Sequence, residues 1–353
     1  TVVTDPNNHQ TTYAYDGQQR LTAVTDALGH QQQLSWTSDN HVQQHTDAKG
    51  QAVVYSYDGN NNLTAEALPT AATARWAYAD PNHPYYATSY TDAQGNVLGY
   101  AYDAAGNVLS TTDQLGSQNQ VRSTYNANGT LATTTDPRGA QTSFSYDGAG
   151  NLTGIAYPAP LGAVAFGHDG LSRVTSSTDG KQQRTAYAYD PLDRLTQLTY
   201  ADSSTITHGF DNDGNLTSLV DNTGTTSFGY DARNRRTQTV LPGNRTIAYG
   251  YDGASNLTSY ADAGGTVTYG YDQADELTTL REPAGAQTSF GYDPNHRRTS
   301  TTYPDGVVTA RGYDNSQRLT SIVAKNAQNT TLAGFSYSFT NPANQRDAVL
   351  YYS

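Results

Sequence analysis

The chain has 353 residues, a formal net charge of −12 and 15% charged residues, so it lacks the clustered Lys and Arg with which proteins hold nucleic acid. It has no cysteine, which excludes disulfides and thiolate metal sites, and no stretch approaches the ~20 apolar residues that span a bilayer. With no methionine it cannot begin at its own start codon, and it is expected to be a fragment of a longer chain, with any secretion signal outside it.

The chain opens at Thr4-Asp5-Pro6-Asn7-Asn8, read as a turn whose preceding strand is absent. The first complete unit follows. Tyr13-Ala14-Tyr15 puts two rings on one face of an extended strand, Asp16 starts a turn, and Leu21 begins the return. The second ring, or its substitute, then recurs as an anchor at Trp36, Tyr57, Tyr78, Tyr102, Tyr125, Tyr146, His168, Tyr189, Phe210, Tyr230, Tyr251, Tyr271, Tyr292, Tyr313 and Phe339. Twelve of the fifteen spacings are 20 to 22 residues, the length of two short strands and two turns. Such regularity, with 28 tyrosines, argues against disorder despite the low aliphatic content.

Six residues after the anchors come Leu21, Val42, Leu63, Val108, Leu131, Leu152, Val174, Leu195, Leu216, Leu257, Leu277 and Leu319. In the unit at Tyr249-Gly250-Tyr251-Asp252, a three-residue loop sets Tyr251 opposite Leu257 and Gly250 opposite Thr258. The apolar residues nine after the anchors, Val24, Ile155, Leu198, Leu219, Tyr260, Leu280 and Ile322, are assigned to the face away from the rings, so both faces read as mixed. A second turn closes each unit, as at Asp26-Ala27-Leu28-Gly29 and Asp136-Pro137-Arg138-Gly139. The unit at Tyr78 lacks its turn, and a bulge or longer loop is expected between residues 78 and 102. The stretch 324–353 is irregular too, and Phe335 to Pro342 reads as a capping or exit region.

The run Tyr-Asp-x-x-Gly-Asn-Leu-Thr at Tyr146 to Thr153, and its variant at Phe210 to Thr217, resembles the YD repeat of the Rhs family, and the resemblance covers the whole chain. That family includes polymorphic toxins, shell components of insecticidal toxin complexes, wall-associated proteins and teneurins. The spacing itself reads as an all-β fold, a continuous antiparallel β-hairpin meander of about sixteen repeats of ~21 residues in one array, 1–353, and the resemblance implies that this meander is wound as a spiral ribbon, a hollow shell or tube. A lone hairpin is marginal in water, so the units are expected to be held by their neighbours.

No catalytic, cofactor or metal site is expected. The repeated Asp residues stand at turn-initiating positions and not as the paired acids of a glycosidase. Asp211-Asn212-Asp213-Gly214-Asn215 has the oxygen density of a calcium loop without its spacing or terminal Glu. His41 and His45 share a strand face but have no third ligand in sequence. Asp136-Pro137-Arg138-Gly139 resembles half of an Rhs autoproteolysis signature, yet sits in an ordinary second-turn slot without a partner copy. The function expected is therefore structural: a segment of an extracellular or cell-surface shell or filament that encloses or displays an effector encoded elsewhere, with further YD repeats or capping domains as partners. The alternative is an adhesion module that binds a glycan or protein. The anchors are the expected structural residues.

Overall fold

The alternation of aromatic and small residues produces the strands that the spacing predicts, and the residues between them produce the turns. The computed structural model describes residues 1–339 and the backbone of 348–352. Among these residues are 33 strands and one 3-10 turn, Gly116–Asn119. Tyr15, Trp36, Tyr57, Tyr102, Tyr125, Tyr146, Tyr189, Phe210, Tyr230, Tyr251, Tyr271, Tyr292 and Tyr313 each close a strand, and the residue six later opens the next.

The chain divides into two compact units, residues 1–97 with 249–353, and residues 98–248. In each, strands pair antiparallel with their chain neighbours, as Gln10–Tyr15 with Leu21–Thr25 in the first and Arg184–Tyr189 with Leu195–Thr199 in the second. The turn at Asp5 does have a preceding strand, contrary to the expectation: Val2–Thr4 pairs with Gln10–Thr12. Tyr78 lies at the start of a long connection between Thr73–Ala77 and Ser89–Thr91, the irregularity expected there. The strand Ala348–Tyr352 pairs with Thr331–Ser338. Thr340, Asn341 and Pro342 of the expected exit region, and Ser353, lie outside the described residues.

The register differs from the expected one in a way that reassigns a face. Tyr189 lies opposite Leu195 and Tyr271 opposite Leu277, but Gly270 faces Thr279 and not Thr278, because each pairing carries a β-bulge just before the anchor. The residue seven after the anchor is the extra one, so the returning strand is shifted in phase by one. As a result Tyr187 faces Leu198, Phe144 faces Ile155 and Tyr13 faces Val24. Directly opposed residues share a face, so the row nine after the anchors joins the rings. The two faces are therefore unlike: one carries aromatic and aliphatic rows, the other carries small and polar pairs such as Ser56–Ala65 and Gly291–Ser300. Gly250 follows the same shift, since a Cβ there would collide with Ser259 Oγ.

Burial is shallow. Among the described residues Ala72 is the one buried hydrophobic, and Asp47, Asn62, Thr239 and Thr301 are the buried polar residues. The anchors are half-buried, Tyr15 being the exception at 50% exposure. Many of the tyrosine anchors gain a second tie across the repeat boundary, because the hydroxyl donates to the carbonyl of the residue that opens the preceding unit's return strand. Tyr57 does so to Val42 at 2.8 Å, Tyr189 to Val174 at 2.8 Å, Tyr230 to Leu216 at 2.9 Å and Tyr271 to Leu257 at 2.9 Å. Trp36 makes the same bond to Leu21 through Nε1. These bonds form a ladder that satisfies the polar end of the tyrosines that make them and links one hairpin to the next.

Candidate functional site

The chemistry-bearing side chains of this fold lie along the edges where the hairpins turn. After most anchors an Asp closes the turn on itself: Asp16 Oδ1 accepts the backbone N–H of Gln18 and Arg20, and Asp231 Oδ1 accepts those of Arg233 and Arg235. The fourth loop residue adopts the left-handed conformation, whether it is Gly150, Asn234 or His296. The other carboxylate oxygen takes the side chain five residues after the anchor, Asn151 on Asp147 at 2.9 Å or Arg194 on Asp190 at 2.7 Å. That Arg also reaches the next unit. Arg194 donates to the carbonyl of Asp211, and its guanidinium lies 4.7 Å over the ring of Phe210; Arg173 repeats this with the Asp190 carbonyl and Tyr189. The position five after the anchor, which sequence reasoning passed over, thus clamps one turn and stacks on the following anchor.

These bonds favour the charged carboxylates. The Arg235 side chain, and then its backbone N–H, lower Asp231 from the ordinary 3.8 to about 2; the Asn151 amide lowers Asp147, and the Arg173 side chain lowers Asp169. A depressed folded value contributes stability that is present above the unfolded pKa and is lost as pH falls through the folded one. The array should therefore hold its stability down to about pH 4 and lose it progressively towards pH 2, where these carboxylates protonate. Urea midpoints measured across that range check this, and a flat profile would refute it.

In the first unit the opposite edge of the ribbon has a partner. The second turns at residues 5–9, 26–30 and 47–51 lie against anchor turns of the stretch 252–318. Asn7 Nδ2 donates to Asp252 Oδ2 at 3.0 Å across 245 residues, and Asn295 Nδ2 donates to Asp47 Oδ2 at 2.6 Å across 248. Gln317 Nε2 reaches the same Asp47 oxygen at 3.2 Å, and Thr70 Oγ1 lies 2.9 Å from Ser316 Oγ. Lys49 Nζ approaches Asp293 at 3.8 Å. Asp47 is 6% exposed, and its Oδ1 is already filled by the N–H groups of Lys49 and Gln51, so the other oxygen is aimed at the facing stretch. The seam joins a second-turn edge to an anchor-turn edge. It is head-to-tail, a mode that propagates where a self-complementary contact would close.

The residues weighed from sequence fall as follows. Asp211 turns both oxygens onto its own loop, to Asn215 N and Nδ2, which leaves no inward-facing cage. His41 is in a turn and not on the strand with His45: its N–H bonds Thr37 Oγ1 and its ring packs 4.8 Å from Tyr57, while His45 meets Gln32. Asp136 accepts the N–H groups of Arg138 and Ala140 and pairs with the Arg138 guanidinium, as an ordinary turn residue does. The seam residues Asp47, Asn295 and Gln317 carry no local signal, since only a spacing of some 250 residues distinguishes them from other turn residues.

The sequence model of the RHS Repeat family matches this chain at residues 1–31, 36–73, 87–118, 125–162, 168–205, 210–246, 251–287, 271–308 and 292–330. None of the curated proteins matches it in sequence. Among solved structures, the chain is similar to a TcdB2-TccC3-Cdc42 crystal structure at TM-score 0.82 and 13% identity, over 99% of this chain and 22% of that one. A TcdB2-TccC3 crystal structure gives 0.79 and 13%, over 98% and 23%. A Photorhabdus luminescens Tc holotoxin pore gives 0.62 and 14%, over 98% and 22%. The chain spans less than a quarter of the length of these matched chains, and at such identity the likeness establishes the fold.

Proposed function

Since the chain belongs to the RHS-repeat family, matched along most of its length, we propose that it is a wall segment of an Rhs-type shell, which encloses or displays an effector encoded elsewhere. The observation that carries this reading is the head-to-tail seam of the first unit, where Asp47, Asn295 and Gln317 join one stretch of ribbon edge to another. A ribbon that binds its own opposite edge, turn against turn, builds a continuous wall. The Tc toxin structures that share its fold support the encapsulating role by analogy. The partners are then further YD repeats or capping domains and an enclosed effector, in an extracellular or cell-surface setting. The anchor residues serve as rungs of the wall, and it has no chemistry of its own.

The test is protease protection of the parent polypeptide. A non-specific protease should leave a segment outside residues 1–353 uncut while the wall is folded, and should degrade it once denaturant opens the wall. Equal digestion in both states would overturn the proposal. Tight binding of the folded chain to immobilised glycans, without protection of any segment, would favour the adhesion reading.

A further inference from the structure

The seam contains a second constellation, one repeat before the Asp47 rung and independent of whether the wall encloses anything. Asp26 Oδ1 is anchored by the N–H groups of Leu28 and His30, which leaves Oδ2 aimed across the seam. That oxygen lies 3.0 Å from His30 Nδ1 and 3.3 Å from Nε2 of His296, which comes from the facing stretch. The three ligand atoms all fall within 4.8 Å of one another, and the two imidazoles meet edge to face at 5.8 Å. Zinc bonds of 2.0–2.1 Å in a tetrahedron set ligand atoms about 3.3–3.5 Å apart, so the two edges to Asp26 are close to length and the third, no more than 4.8 Å, closes by rotation of the imidazoles.

A separate observation points to the same place. The side chain of Glu276 is 9% exposed, its Oε1 is buried without a hydrogen bond, and that oxygen sits 3.4 Å from His296 Nδ1. In this repeat Glu276 occupies the slot five after the anchor, where neighbouring units carry Asn256, Arg297 and Arg318 and clamp their own turn Asp. A carboxylate there has no hydrogen to donate to its own turn residue, Asp272, as those side chains do. A cation held by His296 Nε2 fixes the ring proton on Nδ1, which gives the orphaned oxygen its donor. This is the carboxylate–histidine–metal arrangement that orients a metal-bound imidazole.

We propose that Asp26, His30 and His296 form a zinc site, oriented by Glu276, that clips two stretches of the ribbon together. The neighbouring rungs show why the site is local. One repeat later the equivalent residues are Asp47, Gln51 and Gln317, and Gln317 closes the seam by donating directly to the carboxylate. One repeat earlier they are Asp5, His9 and Asp275, where the single imidazole lies 3.9 Å from Asp275 and that carboxylate also holds Asn256 Nδ2. Two carboxylates and one imidazole make a poorer zinc set than two imidazoles and one carboxylate.

The test uses the purified 353-residue chain, freed of metal with chelator and titrated with Zn²⁺ and then Co²⁺. Wild type should bind one equivalent that is lost in H296Q and in H30Q. Both variants import the residue of the following rung and are expected to fold as that rung does. Co²⁺ should give the visible absorption of a tetrahedral site. Glu276→Gln should weaken binding by roughly 10–100-fold while keeping the stoichiometry, as loss of an orienting carboxylate does. Unchanged zinc stoichiometry in H296Q and H30Q, or no saturable binding by wild type, would overturn the proposal. Unchanged affinity in E276Q would overturn the role given to Glu276. If either histidine variant fails to fold, the wild-type Co²⁺ spectrum and its loss on adding chelator decide the matter.

Discussion

Asp47→Ala is expected to lower the stability of the first unit by about 2–4 kcal/mol, the largest effect of any single turn residue. Asp47 is 6% exposed and accepts four hydrogen bonds: two from the N–H groups of its own turn, at 2.9 and 2.8 Å, and two from Asn295 and Gln317 across the seam. Bonds to a charged acceptor are each worth about 1.5–3 kcal/mol, and the effects are not additive. Removing the acceptor also strands part-buried donors such as Gln51 N and Asn295 Nδ2, and a donor that water cannot reach costs about 1–3 kcal/mol. The two halves of the effect are separable. Asp47→Asn keeps one side-chain oxygen for the turn but presents an amide N–H to Asn295 and Gln317, so it should spare the turn and weaken the seam. Hydrogen exchange in the turns at 293–297 and 314–318 reads the seam directly. Exchange there that is unchanged in D47A, with a stability loss under ~1 kcal/mol, would show that the seam contributes nothing.

The second large effect is expected at the ladder. Tyr271 is half-buried, lies opposite Leu277 and donates its hydroxyl to Leu257 O at 2.9 Å. A fully buried aromatic cut to alanine costs about 3–5 kcal/mol, and partial burial reduces this to ~2–3 kcal/mol for Tyr271→Ala. The same discount applies at Tyr251, where a packed interior would have implied the full figure. Tyr271→Phe isolates the hydroxyl and should cost ~0.5–1.5 kcal/mol, because a half-buried Leu257 carbonyl loses its donor. Burial raises the Tyr271 phenol above its usual range, so the hydroxyl stays protonated and donating at neutral pH. In a repeat array a local defect loosens its neighbours, so the loss should spread to exchange protection at Leu257–Asp262 and Leu277–Arg281 and fade beyond them. A uniform loss over the whole chain would mean the array unfolds as one block and would refute the nearest-neighbour picture.

How far the sequence determined this protein can be read from particular residues. The period of the anchors placed the strands almost to the residue, since Tyr15, Tyr189 and Tyr313 close theirs and Leu21, Leu195 and Leu319 open the next. That was legible because a two-residue side-chain period and a turn-initiating Asp are local physics, repeated until chance is excluded. The all-β class and the turn role of the Asp residues came from the same source. The assignment of faces did not, because the bulge before each anchor shifts the returning strand by one and carries Leu198 and Ile155 onto the ring side. The extra residue, Thr196 or Thr278, lies inside the returning strand and not in the loop, so the loop residues do not announce it. The role of the residue five after the anchor was equally invisible, since Arg194 acts partly on Asp211 and Phe210 in the next unit. Only the tertiary structure could bring Asp26 to His296 or Asp47 to Gln317, because these partners stand 270 residues apart and the side-chain periods that placed the strands act over a few residues. The sequence at either side of the seam reads as one more turn.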